Sequence, residues 1–490
     1  MSLFIALDLG AESGRAIVGK LAADRLSLEE AYRFPNGAVR VLGSLHWDPL
    51  RLFSEMKQGL SKISQQYGQD FASVGVDTWG IDYALLDRAG NLVSNPYCYR
   101  DARTEGMMEE AFKHISRQEI FEQTGGIQFL SINTLYQMLS MVVNNAPQLE
   151  LAATFLMMPD LFNYWLTGRK ACEFTDTTTT QFYNSLEGDW SRAVLEKLGL
   201  PTDIFPEVVL PGTELGPLLP DIAEGVGFGP LPVIAPATHD TASAVVAVPA
   251  GDEEFAWLSS GTWSLLGGIS AKPLVTPEAL GYNFSSYGGA GGLCLPWKNI
   301  MGLWLVQECR RIWARTGDEF SYHDLTRMAA EASPFTAIVE PDHPSFLAPA
   351  DMPAAIQAFC RETGQVVPDT RGEIVRTALE GLALKYRWVV EKLQILLERK
   401  FKALHVVGGG SQNKLLCQFA ADATGLPVIA GPVEATAIGN IAVQAVATGY
   451  LVSLDEARQV IRRSFDVVTY EPGESAPWDE AYERFEKLVS

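Results

Sequence analysis

Four short apolar runs in this chain each stop at a polar or glycine-rich break. Ile5-Ala6-Leu7 meets Asp8-Leu9-Gly10, and Val233-Ile234-Ala235 leads to Thr238-His239-Asp240. Residues 255–258 enter Ser259-Ser260-Gly261-Thr262, and residues 404–407 enter Gly408-Gly409-Gly410. Runs this short, bounded by turn residues, read as buried strands. Ligands of open α/β sheets sit outside strand ends. The chain is therefore predicted to be α/β, with its chemistry carried by four strand-end loops.

The remaining pattern supplies the scaffold. Strands are predicted over 2–9, 15–21 and 27–34, with a turn at Ala23-Asp24. Leu50, Leu52, Phe53, Met56, Leu60 and Ile63 recur near helical spacing, so a helix is predicted from Asp48 to about Tyr67. Short strands follow at 71–76 and 81–86. The β-branched stretch Thr175-Asp176-Thr177-Thr178-Thr179-Thr180-Gln181 suits a helix poorly. Later helices are predicted over 373–400 and 439–448, from Lys298 through Gln307, and after Ser411 as N-cap, with a polar tail over 465–490 that ends in a helix. At 490 residues and 47% hydrophobic, the chain suits two domains of roughly 200 to 250 residues each. The boundary is placed at Pro249-Ala250-Gly251-Asp252, giving 1–250 and 251–490.

A net charge of -21 repels polyanions, so nucleic acid is not an expected partner. ATP is compatible with it, because backbone donors, a few cations and a divalent metal neutralise phosphate locally. Six dispersed cysteines without a CxxC pair suggest reduced thiols in a cytoplasmic protein. No apolar stretch approaches the ~18 residues of a membrane span, and no obligate protein partner is evident. The chain has no GxSxG elbow, HExxH site, Walker A loop or GxGxxG fingerprint.

Candidate site residues follow from the breaks. Asp8 is placed to hold a water on Mg²⁺, while Gly14 and Arg15 border an anion-binding turn. Ser260 to Ser264 offers hydroxyl and amide donors for terminal phosphates. Gly409 and Gly410 follow a strand and permit close approach of a nucleotide. Asp240 reads either as a helix cap or as the carboxylate that accepts a sugar hydroxyl's proton. Asp82, Trp79 and Gly80 offer hydrogen bonds and an apolar wall for a polyol, although Trp79 equally suits a core position. Asn299 and Gln307, taken alone, read as caps or surface contacts.

These segments occur together and in order: Asp8 to Arg15, Gly75-Val76-Asp77-Thr78-Trp79-Gly80, Thr175 to Gln181, His239 to Ala244, Leu258 to Ser264, Lys298 to Trp304 and Gly408 to Asn413. In that combination the chain resembles the FGGY carbohydrate kinases of the actin-like ATPase (ribonuclease H-like) superfamily. The resemblance implies two actin-like α/β domains with an interdomain cleft, the first mainly for sugar and base, the second mainly for nucleotide. It implies ATP-dependent phosphorylation of a ketose, L-rhamnulose at O1, with Mg²⁺. L-fuculose or another ketose is the alternative substrate, and a non-catalytic sugar-binding regulator is the alternative role. Asp240 is the implied proton acceptor, with Gly80, His239, Thr241 and Asn299 near the ketose. Ala11, Glu12, Ser13, Gly14, Arg15, Thr262, Gln307 and Gly410 are implied around ATP, with Glu12 standing where a small polar residue is common.

Overall fold

In the computed structural model, which describes residues 1–251 and 254–489, the strand Ser2–Leu9 lies inside a six-stranded sheet. Its order is Glu214–Pro217, Pro232–Ile234, Ser73–Thr78, Ser2–Leu9, Ser13–Ala22, Arg25–Pro35. Pro232–Ile234, Ser73–Thr78 and Ser2–Leu9 run parallel, and the outer strands return antiparallel. Phe4, Ile5, Ala6, Leu7 and Leu9 are all buried, as expected of a strand covered on both faces. Because the three central strands are parallel, the breaks at Asp8, Thr78 and His239 fall at one edge.

Two compact units are present. The first joins Met1–Ala247 with Ile269–Pro296 and Ala435–Ser464; the second joins Val248–Gly268, Trp297–Glu434 and Phe465–Ser490. They differ from a single cut at 250/251, because two later segments pack with the first unit. Asp252, at the expected boundary, lies outside the described residues.

In the first unit, helix Pro49–Tyr67 starts where the Asp48 side chain accepts the Arg51 N–H. It buries Leu52, Met56, Leu60 and Ile63, each worth about 1.5–3 kcal/mol of hydrophobic stabilisation, whereas Phe53 is only partly buried and Leu50, in the first turn, is exposed. Helix Ala435–Ala447 packs across helix Asp240–Val246 at Gly439, where an added Cβ would lie 1.8 Å from the Ser243 carbonyl oxygen. That crossing brings Asn440 and Gln444 beneath the central strands. Gln444 Nε2 donates to the Ile5 carbonyl at 2.9 Å, and Ser73 Oγ donates to Gln444 Oε1 at 2.7 Å.

In the second unit the strands run in the order Cys294–Met301, Trp263–Gly267, Phe255–Ser260, Ala403–Val407, Val428–Ala430, Val468–Tyr470. Phe255–Ser260, Ala403–Val407 and Val428–Ala430 are parallel, so Ser260 and Gly408 share an edge. Helix Arg371–Leu396 opens with a capping box between Thr370 and Glu373. Arg376 on it pairs with Glu380 and donates to the carbonyls of Ala329 and Ala332 at the end of helix Tyr322–Glu331.

Several local expectations are corrected. The threonine-rich stretch is helical: Phe174–Thr177 continues into a 3₁₀ turn Thr178–Thr180. The Glu173 side chain caps its start by accepting the Thr175 N–H, and the buried hydroxyls are satisfied locally, Thr177 donating to the Glu173 carbonyl, Thr178 to Thr175, Thr179 to Asp176 and Thr180 to Thr177. Lys298 to Met301 is strand, and the helix begins only at Trp304. Asn413, not Ser411, caps helix Lys414–Thr424 by accepting the Leu416 N–H; Ser411 Oγ instead donates to the Gly408 carbonyl. The long helix ends at Leu396 rather than Lys400. The C-terminal tail contributes the edge strand Val468–Tyr470 before its helix Ala476–Val489.

Candidate active site

The sheet edge of the first unit gathers carboxylates. Asp8 stands opposite Asp77 on the parallel neighbour and opposite Arg15 on the antiparallel one, and Arg15 Nη2 lies 2.5 Å from Asp8 Oδ2. Asp77 is fully buried and accepts from Asn440 Nδ2 at 2.5 Å, while its Oδ1 has no hydrogen-bond partner among the described residues. Burial first, then the charge of Asp8, pushes Asp77 well above the usual carboxylate range, against the Asn440 hydrogen bond.

Asp240 opens helix Asp240–Val246, where the N-cap position belongs to His239. Burial, followed by the charge of Asp8, raises its pKa to about 7, opposed by hydrogen bonds from Thr241. Thr241 Oγ1 donates to Asp240 Oδ1 at 3.2 Å. His239 Nε2 lies 3.6 Å from Asp240 Oδ1, and burial lowers its pKa to about 3. The imidazole is therefore neutral at physiological pH, beside a carboxylate poised near neutrality.

Gly80 closes the other side. A Cβ there would meet His239 Nε2 at 3.0 Å and Asp176 Oδ1 at 3.2 Å, so any larger residue would require these two side chains to give way by a few tenths of an ångström. The corner is braced from below by Glu173, which accepts from the N–H and hydroxyl of both Thr175 and Thr238. The Thr78 N–H reaches the Thr238 carbonyl at 2.9 Å, tying two strand ends together.

Asp82 and Trp79 take a different place from a polyol-contacting pair. Asp82 Oδ2 accepts from Trp47 Nε1 at 2.6 Å, Trp79 Nε1 at 3.0 Å and the Tyr99 N–H at 3.2 Å, and Oδ1 accepts from Gln137 Nε2 at 2.9 Å. Three donors on Oδ2 and one on Oδ1 thus engage both oxygens of the carboxylate within the protein. Both residues are buried, so they form a supporting layer under Gly80. Burial raises Asp82 to about 6 in spite of those four hydrogen bonds.

The loop from Ala11 to Arg15 is a hairpin turn closed by the Gly10 N–H on the Ser13 carbonyl at 2.9 Å. Gly14 is required by Phe34, which a Cβ would strike at 2.2 Å. Asn36 pins the turn from behind: its N–H reaches the Glu12 carbonyl at 2.9 Å and its Nδ2 the Gly10 carbonyl at 2.8 Å. The Glu12 side chain is exposed.

In the second unit, Thr262 is at the tip of the hairpin joining Phe255–Ser260 to Trp263–Gly267. The Gly261 and Thr262 carbonyls accept the N–H groups of Leu303 and Trp304, each at 3.1 Å, locking the tip to the start of helix Trp304–Arg315. Gln307 lies one turn along that helix, and its Oε1 is buried without a hydrogen-bond partner among the described residues. Asn299 pairs with Leu265 in the strand ladder and accepts from Trp297 Nε1 at 3.1 Å. Neither Asn299 nor Gln307 is a helix cap.

The three glycines have three different reasons. Gly408 has φ +84, and a Cβ at Gly410 would lie 2.0 Å from Ser260 Oγ. At Gly409 an added Cβ meets nothing within 4 Å. Of the three, only Gly409 has open space where a side chain would stand.

Sequence reasoning missed Asp77, Asp176, Asn440 and Asn36 as site residues. Asp77 and Asp176 sit inside conspicuous motifs, so the motif itself was their signal. Nothing local marks Asn440, which reaches Asp77 across 363 positions of sequence.

Each unit is an α/β layer built on parallel strands with loops at their C-terminal ends, and the whole chain has the fold of sugar kinases. It matches a gluconate kinase from Lactobacillus acidophilus with TM-score 0.82 at 15% identity, covering 99% of this chain and 97% of that one. It matches a xylulose kinase from the same organism with TM-score 0.81 at 16% identity, covering 100% and 98%. Residues 3–247 match the N-terminal domain, and residues 256–448 the C-terminal domain, of the FGGY family of carbohydrate kinases. The chain belongs to that family. Among its relatives, a rhamnulokinase of Bacteroides thetaiotaomicron is 44% identical over 99% of both chains. A rhamnulokinase of Oceanobacillus iheyensis is 42% identical over 95% of this chain and 97% of its own.

Proposed function

We propose that this enzyme transfers the γ-phosphoryl group of ATP to O1 of L-rhamnulose, giving L-rhamnulose 1-phosphate and ADP, with Asp240 as general base. The observation that carries the reading is full-length similarity to proteins named rhamnulokinase at 44% and 42% identity, together with a partly buried carboxylate at a strand end, its side chain 32% exposed, whose pKa is raised to about 7.

As O1 attacks phosphorus in line with the leaving ADP oxygen, Asp240 accepts the hydroxyl proton. A base near the working pH gains the most from general catalysis. Thr241 holds the carboxylate in place, and neutral His239 borders the sugar without adding a competing cation. Gly80 and Asn299 are assigned to the ketose, with Trp79 and Asp82 supporting Gly80. Ala11 to Arg15, Thr262, Gln307, Gly409 and Gly410 are assigned to ATP.

The residues fit Mg²⁺ in one manner. Asp8 raises the pKa of both Asp77 and Asp240, a repulsion that a divalent cation would relieve. Among the described residues, no group of three His, Cys, Asp or Glu side chains is arranged to hold a metal. Asp8 is therefore assigned to water-mediated contact, consistent with the reluctance of Mg²⁺ to dehydrate. Bound to the nucleotide, it would supply charge neutralisation of the transferring phosphoryl group.

Cytoplasmic residence is part of the proposal. No described helix is long and apolar enough to cross a membrane, and the six cysteines are free and buried.

ADP formation measured across L-rhamnulose, L-fuculose, L-xylulose, D-xylulose and glycerol tests the reading, with product analysis locating the phosphate. The highest kcat/KM on L-rhamnulose with O1 phosphorylated supports it. Preference for another ketose, or binding of sugar without transfer, overturns it.

A further inference from the structure

Ile81 occupies a backbone conformation that a β-branched residue rarely adopts. Its φ is +65, in the left-handed region where such residues are outliers. Across it the Asp82 N–H bonds the Gly80 carbonyl at 2.9 Å, an i to i+2 closure whose positive-φ form is rare and strained.

Two threonines hold this turn from opposite sides. Thr179 Oγ1 accepts the Ile81 N–H at 3.0 Å while donating to the Asp176 carbonyl at 2.7 Å. Thr134 Oγ1 donates to the Ile81 carbonyl at 2.6 Å, joined by Gln137 Nε2 at 3.3 Å. Thr134 and Thr179 are both buried. Strained backbone persists only where the surroundings over-determine it. The turn begins at Gly80, where an added Cβ would meet His239 Nε2 at 3.0 Å and Asp176 Oδ1 at 3.2 Å.

We propose that Thr134 and Thr179 are positioning residues for the ketose: they lock the Ile81 turn so that Gly80 is presented beside His239 and Asp240, and thereby set sugar affinity. The inference rests on the ketose-kinase reading. It differs from that reading in assigning sugar recognition to two hydroxyls that need not touch the sugar.

The test measures kcat and KM for L-rhamnulose and for ATP in Thr134→Val, Thr179→Val and the corresponding serine variants. Each valine variant is expected to raise the ketose KM at least ten-fold with the ATP KM within two-fold of wild type, and each serine variant to recover most of the loss. Ile81→Gly frees the turn without touching either threonine and is expected to raise the ketose KM in the same direction. Glycine ordinarily destabilises relative to alanine, whereas at a positive φ the order reverses. Ile81→Gly should therefore melt higher than Ile81→Ala. Folded valine variants with ketose KM within two-fold of wild type overturn the positioning role, and Ile81→Ala melting above Ile81→Gly overturns the strain beneath it. Absence of ketose-dependent ADP formation by the wild type overturns the kinase reading instead, and the melting comparison still decides the strain.

Discussion

Asp8 and Asp77 face each other across adjacent parallel strands, and the charge of Asp8 pushes both Asp77 and Asp240 toward their protonated forms. Asp8 thus bears on the proposed base from two strands away in the sheet, in addition to its proposed water-mediated contact with Mg²⁺. Asp8→Asn is expected to move the acid limb of the pH–activity profile to lower pH, because removing a nearby negative charge favours ionised Asp240. Turnover should fall at the same time. A pH–kcat/KM series on the variant separates the two effects.

Asp240→Asn is expected to lower kcat by roughly 100- to 10,000-fold with ketose binding largely retained. In the wild type, kcat/KM should decline below about pH 7, since the base must be ionised and its pKa is raised to about 7. Near-normal turnover in Asp240→Asn, purified free of other kinases, would remove Asp240 from the role.

Thermal stability should increase as pH falls from 8 toward 5. Asp240 and Glu380 are raised to about 7 and Asp82 to about 6, in each case chiefly by burial. A raised carboxylate stabilises the fold fully below its unfolded value and loses that contribution as pH rises through its folded value. His239, lowered to about 3 by burial, opposes the trend below its unfolded value, but it is one group against three. Melting curves at pH 5, 6, 7 and 8 check the sign, and Asp240→Asn should flatten the slope.

Gly409→Ala and Gly410→Ala should behave differently despite being neighbours. An added Cβ at Gly409 meets open space, so stability should stay within about 0.5 kcal/mol of wild type, while the ATP KM rises if the loop carries nucleotide. At Gly410 the same atom would lie 2.0 Å from Ser260 Oγ, so folding itself should suffer. Denaturant unfolding beside ATP kinetics distinguishes the two.

Asn440→Ala should destabilise the first unit by about 1–3 kcal/mol, the cost of leaving a buried acceptor unsatisfied. It removes the donor to Asp77 and the acceptor for Gln444 Nε2. Urea unfolding provides the measurement.

Much of the fold was legible because apolar runs and their breaks are local signals. The strands around Asp8, Ser260 and Gly408 and the helix after Asp48 follow from burial period and capping chemistry alone. The threonine-rich turn departs from the expectation because β-branching is a weak preference that tertiary context overrides: Glu173 caps the turn and also accepts from Thr238, 65 positions away. Asp82 was read as a sugar ligand because its type and position suited one. Its four donors come from residues 47, 79, 99 and 137, and no single stretch of sequence displays that convergence.

The order of residues by itself determined the α/β class, the four strand-end loops and the kind of chemistry they can perform, since strand period, turn propensity and side-chain type act over a few positions. Tertiary structure alone decided which carboxylates share one edge, that Asn440 answers Asp77, that four donors converge on Asp82 and that Ile81 is held in a strained turn. Those facts depend on long-range packing and desolvation, where partners far apart in the chain fix a group's charge and freedom.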